Sequence, residues 1–328
     1  MKKILLIFIL LLLIGCGKKE KKKIVEKKFA FGTMIDMVVY SENTTQAKKS
    51  MDLAFKEIER IDDKFNTHKE ASLIYKLNHN PGKFFELDSE GLYLFSGVKK
   101  TYNLSKTKYD ITITPLMKIW GFFDDSDKVK IPKKDQLEKA IKMVDYKNLE
   151  VIGNKIRLKT SKNEVDTGSF LKGYAIHRAK IILAKNGVEH AFISAISSIE
   201  TLNKKPEGKS WKVGLQNPED PSKIYHIVGI DDKSIGVSGD YQIYVEIDGK
   251  KYHHLIDRDT GYPVSDRKMV VVIGEDGFFA DMYSTAFFSM FIEDVIAYVN
   301  STDDLEVMIV KGDMSEVYSD GFKKYMIK

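Results

Sequence analysis

Two histidines and two carboxylates are concentrated within residues 252–263, YHHLIDRDTGYP. The preceding residues 237–250 alternate apolar and polar positions around Asp248-Gly249, a pair typical of a two-residue hairpin turn. Because successive side chains of a strand point to opposite faces, we expect His253 and His254 at the end of a hairpin with only one of them facing a cleft. A strand that ends in a polar loop is a common mount for catalytic groups.

A second cluster, residues 166–175 (DTGSFLKGYA), has the features of an anion site. A strand-like run ends at Asp166, small residues follow, and a helix is expected to start near Lys172. Free backbone N–H groups at a helix start beside a lysine favour a phosphate. The spacing differs from that of a Walker loop. A helix start with a solvated lysine accounts for these residues equally well.

Asp281 and Thr285 are four residues apart in an apolar helical run, so they share one helix face. A carboxylate and a hydroxyl in such surroundings need a partner. Hard oxygen ligands at this spacing suit Mg²⁺, which typically takes few protein ligands and also binds substrate phosphates. The spacing alone somewhat favours the alternative, a capping carboxylate satisfied by backbone.

Two further segments contain polar or aromatic groups that indicate a binding site less specifically than the three segments above. Residues 109–122 place hydroxyls and aromatics around Pro115, which could line a pocket for a flat ring or simply form a loop packed on the core. His68 lies in a polar loop before a capped helix, where by itself it resembles an ordinary surface histidine.

Periodicity predicts the elements that must position these groups. Helices are expected at residues 44–64, 72–78, 91–105, 136–144, 173–186 and 278–290. Strands are expected at 29–40, 191–202, 211–216, 224–230, 269–273, 306–311 and 315–318, with hairpins at 149–158 and 236–252. Strands outnumber helices and several form hairpins, so we predict an α+β fold with antiparallel sheets flanked by helices.

The N-terminus predicts export and lipid attachment. Eleven apolar residues, 4–14, follow Lys2 and Lys3, too few for a span of about 20 residues. Residues 1–15 therefore indicate a secretion signal. Gly15-Cys16 resembles a bacterial lipobox, which predicts a lipidated Cys16 on the extracytoplasmic (periplasmic) side of a membrane; the alternative is a chance cysteine after a cleaved signal. Residues 16–28 are expected to be a charged, disordered tether and residues 29–328 the folded domain.

The basic charge of the chain belongs to its N-terminus. Residues 1–28 contain nine Lys and two Glu, and since the whole chain carries +5, residues 29–328 carry −2. The lysines near Cys16 suit anionic lipid headgroups. The body has no basic stripe, zinc-ligand set or stacking motif, so nucleic-acid binding is not expected.

Taken in their order along the chain, the segments with candidate site residues resemble motifs of the FAD:protein FMN transferases, the ApbE family. The resemblance extends from Phe31 to the C-terminal strands. The motifs that carry the resemblance are Phe31-Gly32-Thr33, Tyr109-Asp110-Ile111-Thr112, Asp166-Thr167-Gly168, Lys172-Gly173-Tyr174-Ala175, Ser238-Gly239-Asp240-Tyr241, His254-Leu255-Ile256-Asp257, Thr260-Gly261-Tyr262-Pro263 and Ala280-Asp281 with Ser284-Thr285.

The resemblance implies a tunnelling-type α+β fold and a specific reaction. FAD would bind with its pyrophosphate next to Mg²⁺, and FMN would pass to a Thr or Ser hydroxyl of a target protein with release of AMP. Family targets are subunits of membrane electron-transfer complexes, the sodium-pumping quinone reductases and Rnf-type complexes. Some members instead hydrolyse FAD to FMN and AMP.

Family roles extend to matching residues of this chain. His254 would be the general base and Lys172 would neutralise pyrophosphate charge. Asp281 and Thr285 would ligate Mg²⁺ with the Ser169 carbonyl, and Ser284 stands where some members have a second acidic ligand. The positions expected to hold FAD are Phe31, His68, Tyr109, Asp110, Ile111, Asp166, Lys172 and Leu255.

Several residues depart from the family pattern. Ala195-Ile196-Ser197-Ser198 stands where a Gly-Gly pair is common, Arg258 replaces a usual Pro, and His177 replaces a usual Asp. The missing glycines are the main support for an alternative, a lipoprotein that binds flavin without catalysis. An FAD pyrophosphatase is a further alternative, whereas the antiparallel pattern counts against a solute-binding lipoprotein of a transporter.

Overall fold

The computed structural model of the chain describes residues 20–122 and 131–327. The expected signal peptide, residues 1–15, and the expected lipidation site, Cys16, lie outside these ranges. Within them, no helix combines the length and the apolar character that crossing a membrane requires.

The described part of the chain contains sixteen strands. They are β1 (Lys22–Ala30), β2 (Thr33–Ser41), β3 (Phe85–Glu86), β4 (Leu149–Ile152), β5 (Lys155–Leu158), β6 (His190–Ala195), β7 (Ser198–Leu202), β8 (Trp211–Gln216), β9 (Ile224–Ile230), β10 (Ser234–Gly239), β11 (Tyr244–Ile247), β12 (Lys250–His253), β13 (Arg267–Gly274), β14 (Glu306–Lys311), β15 (Glu316–Tyr318) and β16 (Met326–Ile327).

Eight of these strands form the main sheet, in the order β1-β2-β6-β7-β10-β13-β14-β15. Smaller sheets have the orders β16-β9-β8 and β3-β5-β4, and β11 pairs with β12 as a separate hairpin. Neighbouring strands in the main sheet pair antiparallel throughout. The predicted α+β class with antiparallel sheets is confirmed.

Helices pack on one face of the main sheet and at its end. They are α1 (Thr44–Phe65), α2 (Leu73–His79), α3 (Ser89–Leu104), α4 (Thr114–Trp120), α5 (Lys134–Met143), α6 (Leu171–Lys185), α7 (Gly277–Ser289) and α8 (Ile292–Asn300), with short 3₁₀ turns at Tyr146–Asn148 and Phe322–Tyr325. Side-chain caps stabilise the first turns of α1 and α2. The Asn43 side chain accepts the Gln46 N–H before α1, and the Ser72 side chain accepts the Tyr75 N–H before α2.

Three apolar clusters join these layers. The largest lies between the helices and the main sheet and includes Phe55, Phe278 and Phe287. A second fills the space between the other face of that sheet and β8, β9 and β16, around Trp211. The third surrounds Trp120 and joins α4 and α5 to Ile256, so it supports the loop that follows His254.

The predicted boundaries are wrong at the N-terminus of the body. Lys22–Ala30 form strand β1, so the disordered tether expected at residues 16–28 does not extend past Lys21, and the ordered body begins before residue 29. Phe31 and Gly32 are a turn with φ of 51° and 71° rather than the middle of one strand. The reason is pairing: a two-residue turn lets all nine residues of β1 pair with β2.

One other expected strand and one expected hairpin also differ from the prediction. Residues 191–202 form β6 and β7, joined by a turn at Ile196-Ser197. In the predicted hairpin at residues 236–252, β10 joins the main sheet and only β11 and β12 pair with each other. The Asp248-Gly249 turn is confirmed, with φ of 50° and 75°.

Candidate active site

A cavity of about 440 Å³ opens at the end of the main sheet, where turns from several layers meet. The β1–β2 and β6–β7 turns, the segment before α4, the start of α6, the residues after β12 and one face of α7 form its walls. All but two of the residues predicted for the site line it: Phe31, Tyr109, Asp110, Ile111, Asp166, Ser169, Lys172, His254, Leu255, Asp281 and Thr285.

His68 and Ser284 are the two predicted residues outside the cavity wall. His68 is exposed in the loop before α2, and its neighbour Thr67 contacts Thr167 through their hydroxyls at 3.3 Å. Ser284 is fully buried behind the wall, where its hydroxyl donates to the Asp281 carbonyl at 2.8 Å. Their proposed roles toward flavin and metal stay predictions.

The hairpin places the two histidines in different environments, as their alternation predicted. His253 is buried, its Nε2 lies 2.7 Å from the Val264 carbonyl, and its Nδ1 accepts from Leu255 N–H at 3.2 Å. This ring therefore holds the chain reversal between residues 253 and 264. His254 instead lines the cavity.

His254 is oriented through one ring nitrogen. Its Nδ1 lies 3.1 Å from the Ile243 carbonyl, and since a carbonyl only accepts, the proton is assigned to Nδ1 and the lone pair to Nε2. Burial lowers the pKa of His254 to about 4, and the nearby Lys172 charge acts in the same direction. The ring is therefore neutral at pH 7 and can accept a proton at Nε2.

The start of α6 brings Lys172 to the cavity. Its Nζ donates to the Gly168 carbonyl at 3.0 Å, which closes the loop across the helix start. Asp166 accepts the Gly168 N–H, so its carboxylate also holds this loop. Lysine has three donors, so Nζ retains N–H groups for an anion in the cavity.

Asp281 does not cap α7. Asp276 does so, by accepting the N–H of Phe278 at 2.8 Å. Asp281 lies inside the helix, is buried, and accepts the Gly173 N–H of α6 at 2.9 Å through Oδ2. Burial raises the pKa of Asp281, and Lys172 opposes that rise. The alternative of a capping carboxylate satisfied by backbone is confirmed in part, because Asp281 accepts an N–H in the first turn of α6 although it does not cap its own helix.

The oxygen groups around Asp281 fit Mg²⁺. Thr285 lies one turn further along α7, and Ser169 faces the same cavity from the α6 start. Across the described ranges, no group of three or more His, Cys, Asp or Glu side chains forms a metal cluster. A site here would combine one carboxylate with neutral oxygens and water, which suits Mg²⁺ better than Zn²⁺.

The segment before and within α4 supplies the apolar wall. Tyr109 and Ile111 are buried, and Ile113, Met117 and Phe122 line the cavity beside them. The Tyr109 hydroxyl lies 2.8 Å from Ser169 Oγ, which joins this wall to the polar end. A flat aromatic ring fits such a wall. Phe122 belongs to the aromatics of residues 109–122 for which a ring pocket was one of two predictions, whereas Met117 was not predicted to line it.

Arg258, which the sequence left without a role, pairs with the buried Asp110. Its Nη1 lies 3.2 Å from Asp110 Oδ2, and its two Nη groups donate to the carbonyls of Thr107 and Val144. Asp110 also accepts N–H groups of Thr112 and Tyr146. The loop after His254 is thereby fixed to the segment that forms the apolar wall.

Comparisons with known proteins agree with this geometry. A model of the ApbE family matches residues 31–309. The chain is similar to an FAD:protein FMN transferase of Vibrio cholerae serotype O1, at 25% identity over 96% of this chain and 94% of that protein. A relative from Klebsiella pneumoniae with the same name is 30% identical over 66% of this chain and 62% of that protein.

Solved structures show the same fold. The ApbE protein of Thermotoga maritima has a TM-score of 0.85 and 27% identity, over 94% of this chain and 100% of that one. The flavin transferase ApbE of Vibrio cholerae has a TM-score of 0.80 at 21% identity, over 93% and 99% of the two chains. With a family model matching most of its length, the chain belongs to the ApbE family.

Proposed function

We propose that this protein is a magnesium-dependent FAD:protein FMN transferase. It moves the FMN part of FAD to a Thr or Ser hydroxyl of an acceptor protein and releases AMP. The observation that carries the proposal is the shared cavity of His254, Lys172 and Asp281, which offers a neutral base, a cation and a buried carboxylate next to an apolar wall. The relatives from Vibrio cholerae and Klebsiella pneumoniae, both named FAD:protein FMN transferases, support the same reaction.

Each residue has a defined task in this reaction. The acceptor hydroxyl oxygen attacks the FMN phosphorus while its proton passes to His254 Nε2. The bond from that phosphorus to the bridging oxygen breaks, and AMP leaves with this oxygen. Lys172 stabilises the negative charge that shifts to the bridging oxygen. The apolar wall around Ile111 and Leu255 holds the flavin ring and keeps water from the phosphorus.

The metal would be held by Asp281, Thr285 and an oxygen of Ser169. When bound, Mg²⁺ supplies electrostatic stabilisation of the phosphoryl oxygens. Burial raises the pKa of Asp281, so a cation beside it would offset the unfavourable burial of its charge.

The proposal includes the cellular location of the enzyme and the identity of its acceptor protein. Cys16 would anchor the chain to the extracytoplasmic face of a bacterial membrane, and the acceptor would be a subunit of a sodium-pumping quinone reductase or an Rnf-type complex. The apolar run before Gly15-Cys16 and the lysines after it support the anchor. A membrane-bound acceptor would meet the enzyme on that surface.

The test is a transfer assay with the full chain in detergent. FAD, Mg²⁺ and the soluble flavin-carrying domain of a sodium-pumping quinone reductase subunit are incubated, and in-gel flavin fluorescence and AMP are measured. We expect a fluorescent acceptor with one AMP per flavin transferred, and loss of both signals with EDTA. FMN and AMP without labelled acceptor would indicate a pyrophosphatase. FAD that binds but stays intact would contradict both enzymatic reactions.

A further inference from the structure

Three exposed apolar side chains form a row that leads to the mouth of the cavity. Phe29 and Met34 pair across β1 and β2, directly before the turn at Phe31-Gly32 that lines the cavity. Their exposed fractions are 68% and 47%. Strand β6 pairs with β2 beside them, and the β6–β7 turn at its end carries Ile196, which is 69% exposed. We call Phe29, Met34 and Ile196 the apolar row.

The apolar row is a discrete feature of this end of the sheet. The next pair on the same face, Lys27 and Asp36, forms an ion pair at 3.0 Å. Phe29 and Met34 do not line the cavity, whereas Ile196 does, together with His254. The row therefore starts on the outer surface and ends in the wall of the cavity that also contains the proposed base.

Ile196 occupies its position at a conformational cost. Its φ is 55°, in the left-handed region that disfavours side chains branched at Cβ and that glycine adopts freely. A strained residue persists where the surroundings or a function require it, and this one places a large apolar side chain in solvent at the cavity rim. Because its side chain is mostly exposed, packing within the chain offsets little of the strain of its backbone conformation.

We propose that the apolar row is the docking surface for the acceptor protein, and that it binds apolar side chains flanking the hydroxyl that receives FMN. This inference rests on the proposed function. The hydroxyl must reach His254 from the mouth of the cavity, and the row is continuous with that mouth. Three side chains make a small contact, which suits a substrate protein that must dissociate after each turnover.

The test compares the double variant Phe29→Ser/Met34→Ser with Phe291→Ser in the full chain. Phe291 is a matched control, because it is 67% exposed and lies at the start of α8, outside the cavity wall. We expect the double variant to raise KM for the acceptor domain about tenfold, the size of effect that losing buried apolar contacts produces. Its FAD affinity, measured by flavin fluorescence, and its kcat at saturating acceptor should match the control.

Ile196→Gly provides a second, independent measurement. Glycine accepts φ of 55° without strain, so the variant should fold with a Tm close to that of the wild type. Its KM for the acceptor should rise, as in the double variant. KM within twofold of the wild type in both variants would overturn the proposed docking surface.

Other outcomes separate this inference from the proposed function. A wild-type dimer that the double variant loses, with KM unchanged, would assign the row to a contact between copies and overturn the inference alone. A wild-type chain that binds FAD but labels no acceptor would overturn the proposed function and this inference together.

Discussion

His254 is a neutral base at physiological pH because of its surroundings. The Ile243 carbonyl fixes the proton on Nδ1, and burial lowers the pKa of the ring to about 4. A base acts only when it is unprotonated, so a lowered pKa extends its active form to more acidic solution.

This pKa predicts an unusual pH profile for transfer. We expect kcat/KM for FAD to stay level from about pH 8 to about pH 5 and to fall only below, because kcat/KM reports the pKa of the free enzyme. The profile is measured by flavin fluorescence of the acceptor, with circular dichroism to verify that the chain stays folded. An acidic limb near about pH 6.5, the ordinary value for histidine, that is absent from a variant without the His254 imidazole would contradict the assigned environment.

His254→Gln is the matched control for that profile. Glutamine keeps a polar side chain of similar reach but lacks a titrating nitrogen. FAD affinity should stay near that of the wild type, transfer should fall by about 10²–10⁴-fold, and the acidic limb should disappear. Unchanged transfer would place the base elsewhere.

At the scale of the elements, a long periodic helix and a turn with a characteristic residue pair were predictable. A short helix positioned by contacts with distant residues was not. The apolar spacing of residues 44–64 predicted α1, and Asp248-Gly249 predicted the β11–β12 turn; both are confirmed. The helix α4 was missed because Pro115 was interpreted as part of a loop or ring pocket, although proline is favoured in the first turn of a helix. Its position depends on Trp120, whose Nε1 donates to the distant Gly261 carbonyl at 2.8 Å.

The pocket also depends on close helix contacts that no local pattern encodes. A Cβ at Gly173 would lie 2.2 Å from the Gly277 carbonyl oxygen, so only glycine lets α6 and α7 approach this closely. That approach brings the Gly173 N–H to Asp281. Residues 166–175 predicted a helix start next to an anion, whereas the packing of α6 against α7 is visible only in the structure.

Arg258 joins two elements, and its loss should destabilise both. Asp110 has no exposed side-chain surface, and burial raises its pKa while Arg258 opposes that rise. Arg258→Met leaves a buried carboxylate without its cation, so we expect the free energy of unfolding to fall by about 3 kcal/mol. Urea unfolding measures the change.

Two controls test this explanation of the Arg258 effect. Arg157→Met breaks a more exposed pair with Glu150 and should leave the urea midpoint much closer to that of the wild type. Adding Asp110→Asn to Arg258→Met should recover part of the loss. Because Asp110 then titrates at a still higher pH, the cost of Arg258→Met should shrink as the pH falls. A cost that does not depend on pH would show that Arg258 acts through packing alone.

On the scale of the whole molecule, β1 links the N-terminal side of the described chain to the candidate active site. All nine of its residues pair with β2, and the turn that follows carries Phe31 into the cavity wall. With Cys16 anchored as proposed, residues 17–21 can span at most about 18 Å before β1 begins. The body would thus be held close to the bilayer, where a membrane-bound acceptor presents its hydroxyl.

The ordered β1 predicts where the chain can be shortened. Removing residues 1–28 deletes seven of the nine β1 residues, including the buried Ile24, and leaves one edge of β2 unpaired. We expect this truncation to lower the free energy of unfolding by at least about 2 kcal/mol, the contribution of one buried isoleucine. Removing residues 1–19 keeps β1 and should leave stability near that of the full chain. Urea unfolding and hydrogen exchange of the β2 amides compare the two, and equal midpoints would show that β1 contributes little to the fold.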